Sequence, residues 1–261
     1  AGIDANNPTI AIEKAVKGDT IAAMGGIVMC NFIVNAEMAE IMVNAGQEEG
    51  NQQRFDGVVA TGFEAGVSEV LERKGGKCRL VHNPDFTGSA IQIDTSTEFR
   101  PVRGGFLTQP PSTFVPNLGA DDVAVHGGDA LDIETELDLN LAGSIARTSN
   151  SNTITIVNNG MLIGNGVGQQ DRVGAAVVAL LRAEKAGHKN KINGSVAWSD
   201  SFFPYPDGPE KLTEAGVRAI FSTSGSKAPG GGDAATIKHC EEKEVMLVML
   251  PDSKARGFNR H

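Results

Sequence analysis

Residues 153–186 read TITIVNNGMLIGNGVGQQDRVGAAVVALLRAEKA, and this stretch decides the fold class. Residues 153–157 form a β-rich run, Asn158-Asn159-Gly160 is a hairpin turn sequence, and residues 161–164 return as a second strand. Residues 172–186 then place Ala175, Ala176, Ala179, Leu180 and Ala183 on one side of a helix. A strand hairpin followed at once by a long helix predicts a layered α/β architecture.

The alternation continues in both directions. Downstream, residues 195–200, 219–222 and 245–250 read as strands, with helices at 210–215 and 234–242. Upstream, residues 9–17 have helical spacing, and Asn6, Asn7 and Pro8 stand where a cap and a first-turn proline belong. The apolar stretch 21–32, broken by Gly25-Gly26, predicts a strand entered through a tight turn. A helix at 36–44, a strand at 56–60, a helix at 66–74 and a strand at 78–81 follow. Residues 91–109 suggest two strands around Arg103-Gly104-Gly105. Pro110, Pro111, Pro116 and the glycines up to Gly128 predict a long irregular connection. The chain thus divides into an N-terminal lobe, 1–110, a connection, 111–130, and a C-terminal lobe, 131–261. The similar alternation suggests a duplicated unit, although no residue-level repeat is visible. The acidic run 129–138 suits a helix start and reads as a solvated face rather than a metal site.

Composition removes several function classes. The 23 Lys and Arg against 32 Asp and Glu give a net charge of −9, which argues against a nucleic-acid partner. Small anionic ligands need only a few placed donors and stay open. Cys30, Cys78 and Cys240 are too few and too scattered for a disulfide framework or a zinc site, and read as free thiols of a reducing compartment. No apolar run is long enough to span a bilayer and no signal pattern opens the chain. A cytoplasmic protein without a membrane partner is expected.

Two segments carry chemistry. Residues 164–172 (GNGVGQQDR) offer a close-approach backbone, two amides and Arg172 at the start of a long helix, which suits a phosphate or carboxamide ligand. Glycine spacing alone is equally consistent with a structural turn. Residues 200–205 (DSFFPY) put an Asp, two Phe and a Pro at the C-terminal end of a strand, where ligands sit in α/β sheets. Aromatics there can stack on a flat heterocycle or belong to the core.

Residues 152–173, 199–207, Gly225-Ser226 and the terminal segment 256–261 (RGFNRH) resemble the AICAR transformylase domain of the bifunctional purine-biosynthesis enzyme. Upstream, Glu13-Lys14-Ala15, Gly18-Asp19, Met24-Gly25-Gly26 and Asp56-Gly57-Val58-Val59-Ala60 agree in order, as does Arg103-Gly104-Gly105-Phe106-Leu107. The resemblance implies two similar three-layer lobes related to cytidine deaminases, and a homodimer with active sites between subunits. It also implies transfer of a formyl group from 10-formyltetrahydrofolate to the 5-amino group of AICAR. That amine shares its lone pair with the imidazole. The enzyme must therefore remove a proton, hold both substrates in attack geometry and stabilise a tetrahedral oxyanion.

Position by position, the resemblance makes Asn152 the polar contact near the transferred formyl group. Arg172 and Arg256 become AICAR-binding arginines, Asp56 a ribose or base contact, Gly25 the backbone approached by the nucleotide, and Phe202 the aromatic on the imidazole. Pro204 and Asp207 fall where the pterin binds, with Met24 in the folate pocket. Asp200, Ser151 and Thr153 fall near a potassium site seen in some members.

The sequence also departs from the family. The family's Lys-His pair and Asn-Pro-Cys-Gly turn would, by register, precede Ala1, so a longer chain is expected to carry them. A catalytically silent nucleotide-binding paralogue is the alternative. Lys238-His239 is read as a helix face rather than a substitute. Gly143 replaces a usual tryptophan, residues 44–54 look inserted, and one extra residue precedes the terminal Arg-His. A deaminase reading fails for want of a Cys-x-x-Cys pair. Cyclohydrolase activity is not expected from these residues.

Overall fold

The computed structural model describes residues 1–46, 52–72, 76–86, 94–111, 113–128 and 130–255. It is a mixed α/β structure. The first helix, α1 (Pro8–Lys17), starts as the sequence predicts: Asn7 Oδ1 accepts the amides of Thr9 and Ile10, and Pro8 occupies the first turn. The stretch expected to be one strand from residue 21 is instead divided. Asp19 caps a short helix, α2 (Thr20–Ala23), by accepting the Ala22 amide. Gly25 then turns the chain with a positive φ of 73°, and β1 (Ile27–Val34) begins after it. Helix α3 (Ala36–Asn44), strand β2 (Gly57–Phe63), helix α4 (Val67–Leu71) and strand β3 (Arg79–His82) follow. Strands β1, β2 and β3 form a parallel sheet in that order. One face packs on α1, α3 and α4 through Ile12, Val34, Met42 and Val58. On β1, Ile27, Met29 and Ile33 point outward and are exposed.

The two strands expected around Arg103-Gly104-Gly105 are β4 (Glu98–Val102) and β5 (Gly105–Gln109), an exposed hairpin with an edge-to-face Phe99–Phe106 pair. The connection is not wholly irregular. Residues Ala124–His126 form β6, which pairs antiparallel with the last strand and so gives the second sheet an edge. The acidic run also departs from expectation. Asp132 caps α5 (Ile133–Thr148) by accepting the Thr135 amide at 2.7 Å. Asp138 is buried rather than solvated. Its two oxygens accept the amides of Asn159 and Gly160 at 2.8 and 2.6 Å. Those residues have positive φ, 48° and 69°, so a buried carboxylate holds the turn between β7 (Ile154–Asn158) and β8 (Met161–Gly166).

Helix α6 (Arg172–Lys185), capped by Asp171, lies on β8. A Cβ on Gly166 would sit 2.0 Å from the Ala175 carbonyl oxygen, and one on Gly164 would sit 2.2 Å from that of Ala179. These two glycines therefore serve helix-on-strand approach, the structural reading of residues 164–172. Helix α7 (Lys189–Ile192), β9 (Val196–Ser199), α8 (Asp207–Glu214), β10 (Ala219–Ser224), α9 (Gly232–Glu242), β11 (Met246–Pro251) and α10 (Asp252–Ala255) complete the chain. The six-stranded order is β6-β11-β10-β9-β7-β8, with β9, β10 and β11 parallel. Ile154, Ile163, Ala179 and Ile220 build the core on its α6 side. Leu139, Trp198, Phe221 and Val248 build the core under α5, where the Trp198 and Phe221 rings stack at 3.5 Å. The two sheets meet along α1, α2 and α6: Arg182 Nε donates to Asp19 at 3.0 Å, and His188 Nε2 lies 2.9 Å from the Lys17 carbonyl.

Candidate functional site

The parallel strands β9, β10 and β11 run the same way, so their C-terminal ends form one rim. Asp200 directly follows β9 and is 1% exposed. Its Oδ2 accepts the Thr153 amide at 3.1 Å, and its Oδ1 lies 3.4 Å from Arg172 Nη2. The capped start of α6 presents Arg172, whose guanidinium carbon also stands 5.8 Å from the Phe202 ring centre. Arg172, Asp200 and Phe202, separate in sequence, thus meet at one place.

Asn152 belongs to the same group through its neighbour Thr153. It pairs with Gln169 in both directions along the backbone, and its Nδ2 donates to the Gln169 carbonyl at 2.9 Å. The described residues give its Oδ1 no donor, so that oxygen is available to a ligand N–H. The Ser151–Asn152 peptide is cis. Thr153 Oγ1 donates to the Asn150 carbonyl at 2.6 Å. The buried Ser151 hydroxyl has no hydrogen-bond partner among the described residues.

Pro204 and Asp207 lie just beyond Phe202. Pro204 is half-buried, and its carbonyl accepts the Gly232 amide at 2.8 Å, while Asp207 opens α8 in an exposed position. Gly208 is pressed against Phe203, where an added Cβ would come within 2.8 Å of the ring. The resembling Gly225-Ser226 turn stands at the end of β10, with both amides donating to Asp233 at 2.6 and 3.1 Å.

Met24, Gly25 and Asp56 form a second group. The Asp56 amide donates to the Gly26 carbonyl at 2.9 Å, and the position of a Gly25 Cβ lies 3.9 Å from Asp56 Oδ2. Met24 is 55% exposed. These residues sit at the N-terminal ends of β1 and β2. The chain that carries them is tied to α6 at Arg182, ten residues and about 15 Å of helix rise from Arg172. Arg256 lies outside the described residues, as does the rest of the terminal segment 256–261.

Lys238 and His239 lie on α9, the helix face read from the sequence. Lys238 pairs with Glu242 on α9, and His239 Nε2 lies 2.9 Å from Thr213 Oγ1. A cavity of about 670 Å³ lies at the other end of the second sheet, where Gly194 and Arg218 precede β9 and β10. Its cations already have partners, Lys14 with Asp4 and Arg218 with Asp132. No cluster of three or more His, Cys, Asp or Glu among the described residues is arranged to hold a metal ion, and no described helix is long and apolar enough to cross a membrane.

Sequence reading missed Ser201, Thr223, Asp233 and Asp252, the polar groups that lace the rim. Asp233 and Asp252 each stand in the first turn of a helix, a position that carboxylates favour and that could have marked them.

The family model described as AICARFT/IMPCHase bienzyme matches residues 1–182. The chain is 35% identical over 220 residues to the bifunctional purine biosynthesis protein PurH of Mycobacterium ulcerans and to that of Mycobacterium marinum, covering 83% of this chain and 38% of each. It is 35% identical over 240 residues to PurH of Cutibacterium acnes, covering 91% of this chain and 42% of that protein. The chain thus spans about two-fifths of the length of these relatives. With most of its length matched both by the family model and by these proteins, this chain belongs to the AICARFT/IMPCHase bienzyme family.

Proposed function

We propose that this chain serves as an AICAR formyltransferase module of purine biosynthesis, using 10-formyltetrahydrofolate as formyl donor and giving FAICAR. The observation that carries the reading is the meeting of Arg172, Asp200 and Phe202 at the C-terminal rim of parallel strands. An arginine held by a buried carboxylate supplies fixed positive charge for a nucleotide phosphate or carboxamide. The neighbouring Phe202 offers a face for a planar imidazole. Asn152 Oδ1 can accept an N–H of the attacking amine and so help hold it in line.

Met24, Gly25 and Asp56, at the N-terminal ends of β1 and β2, would complete the site from a second copy, as the resemblance implies. The exposed apolar face of β1 and the exposed Phe99–Phe106 hairpin support a homodimer, because a parallel sheet normally has both faces covered. Folate contacts at Met24, Pro204 and Asp207, potassium near Ser151, the 1–110 and 131–261 lobes with their cytidine deaminase-like form, and a cytoplasmic location belong to the same proposal.

The test is formylation of AICAR by 10-formyltetrahydrofolate, with FAICAR measured by mass spectrometry in the protein that contains this chain. FAICAR formation that falls when Arg172 is replaced supports the proposal. AICAR binding without FAICAR would favour the nucleotide-binding paralogue, and neither binding nor turnover would remove both readings.

A further inference from the structure

The rim carries a carboxylate that the proposed reaction does not use. Asp252 opens α10 directly after β11, half-buried. Its Oδ1 accepts two hydroxyls, Ser201 Oγ at 3.1 Å and Thr223 Oγ1 at 2.7 Å. Ser201 follows the end of β9 and Thr223 lies near the end of β10, so one oxygen joins the ends of three adjacent parallel strands. Ser201 and Thr223 are both fully buried. Without Asp252 their hydroxyls would lose an acceptor in a place that water does not reach, at a cost that a surface pair would not carry.

The segment so held is the one that bears Asp200 and Phe202. Besides the Asp200 carboxylate contacts, three hydrogen bonds hold it. The Asp200 amide donates to the Thr153 carbonyl at 3.3 Å, the Ser199 hydroxyl donates to the Ser201 carbonyl at 2.7 Å, and Ser201 Oγ reaches Asp252. The first two ties lie within or beside the strand that the segment ends. The third links the segment to β10 and β11 through Asp252. Asp200 and Phe202 flank Ser201, and both approach Arg172. A rotation of the Ser201 backbone would move the anion and the ring that place the guanidinium.

We infer that Asp252 is a positioning residue: by joining Ser201 to Thr223 it sets the strand-end turn that presents Asp200 and Phe202 to Arg172. The acceptor oxygen is what matters, so Asp252→Asn, which keeps an Oδ1 acceptor, should preserve the arrangement that Asp252→Ala removes. The geometric part stands on the hydrogen bonds alone, whereas its effect on AICAR rests on the formyltransferase reading.

The experiment is hydrogen exchange of the amides at 200–203 in the wild type, Asp252→Ala and Asp252→Asn, with AICAR titrated calorimetrically into the same three proteins. Asp252→Ala should exchange at least about tenfold faster at the Asp200 amide, the loss expected for one buried hydrogen bond. The hairpin amides of Asn159 and Gly160, held by Asp138, should be unchanged. AICAR should bind roughly tenfold more weakly, and Asp252→Asn should restore both. Exchange at 200–203 that is unaltered in Asp252→Ala overturns the inference. So does uniform acceleration across the fold, which would mark a merely structural residue. Should the wild type itself bind no AICAR, the formyltransferase reading fails while the exchange still decides the role of Asp252.

Discussion

Arg172 Nη2 lies 3.4 Å from Asp200 Oδ1, which ties the first residue of α6 to the residue that follows β9. The pair is strongly unequal in environment. Asp200 is buried, and Arg172 keeps 12% of its side chain exposed, so the charge has an outward path to a ligand. Arg172→Lys retains the charge but loses the planar fork. It is expected to weaken AICAR binding about 10- to 100-fold, the range for a charge-assisted hydrogen bond, as measured by calorimetry.

Arg182 and Asp19 tie the first sheet's helical corner to α6, with Arg182 Nε 3.0 Å from Asp19 Oδ2. The same Asp19 caps α2, which leads into Met24 and Gly25. Arg182→Ala is expected to cost about 1–2 kcal/mol, as a partly buried charged pair. Urea unfolding followed by circular dichroism checks the value.

Gly143 has a structural partner. A Cβ there would meet the Trp198 ring at 2.9 Å, so Trp198 takes the space on its side of α5. Gly143→Ala gains about 1 kcal/mol of helix propensity and pays about 1–3 kcal/mol of overpacking against the stacked Trp198–Phe221 pair. The expected outcome is net destabilisation, read from the melting temperature. Fluorescence of Trp198, the single tryptophan, should shift with it.

Burial pushes the Cys30 thiol up to about 11 and that of Cys240 up to about 12, the latter helped by Glu241. At pH 8 the thiolate is then about one part in a thousand and one in ten thousand. Cys78 is buried as well. The native protein should react with a disulfide reagent only as fast as it opens, and all three thiols should react at once in guanidinium.

The Thr135 amide and hydroxyl hold the Asp132 carboxyl below its ordinary value of 3.8. Because the folded pKa is the lower one, this contribution is present above about pH 4 and is lost as pH falls through the folded value. Asp132→Ala removes the cap of α5, expected to cost about 1 kcal/mol at neutral pH. The difference from wild type should shrink below pH 4 in chemical denaturation.

Much of this was legible in residue order. Asn7-Pro8 marked the start of α1, Asn159-Gly160 marked the turn, and residues 36–44 had helical spacing throughout. What stayed hidden depended on contacts across the chain. The local exception is α2: Asp19 is an N-cap three residues before the Ala22 amide it accepts, yet Ile21-Ala22-Ala23 reads as apolar strand. Residues 124–126 are too short to announce an edge strand, which exists because β11 offers a free side. Asp138 reads as surface charge until the hairpin amides, more than twenty residues away, are placed against it. At the rim, Arg172, Asp200 and Phe202 could be picked out singly, but their meeting follows from β9 lying beside β7 and from α6 lying on β8.

The most direct test of the central claim is calorimetric titration of AICAR into this protein and its Arg172→Ala variant. The account predicts binding to the wild type, weakened at least about tenfold in the variant, with unchanged hairpin-amide exchange. Equal binding by both proteins, or none by the wild type, would contradict it.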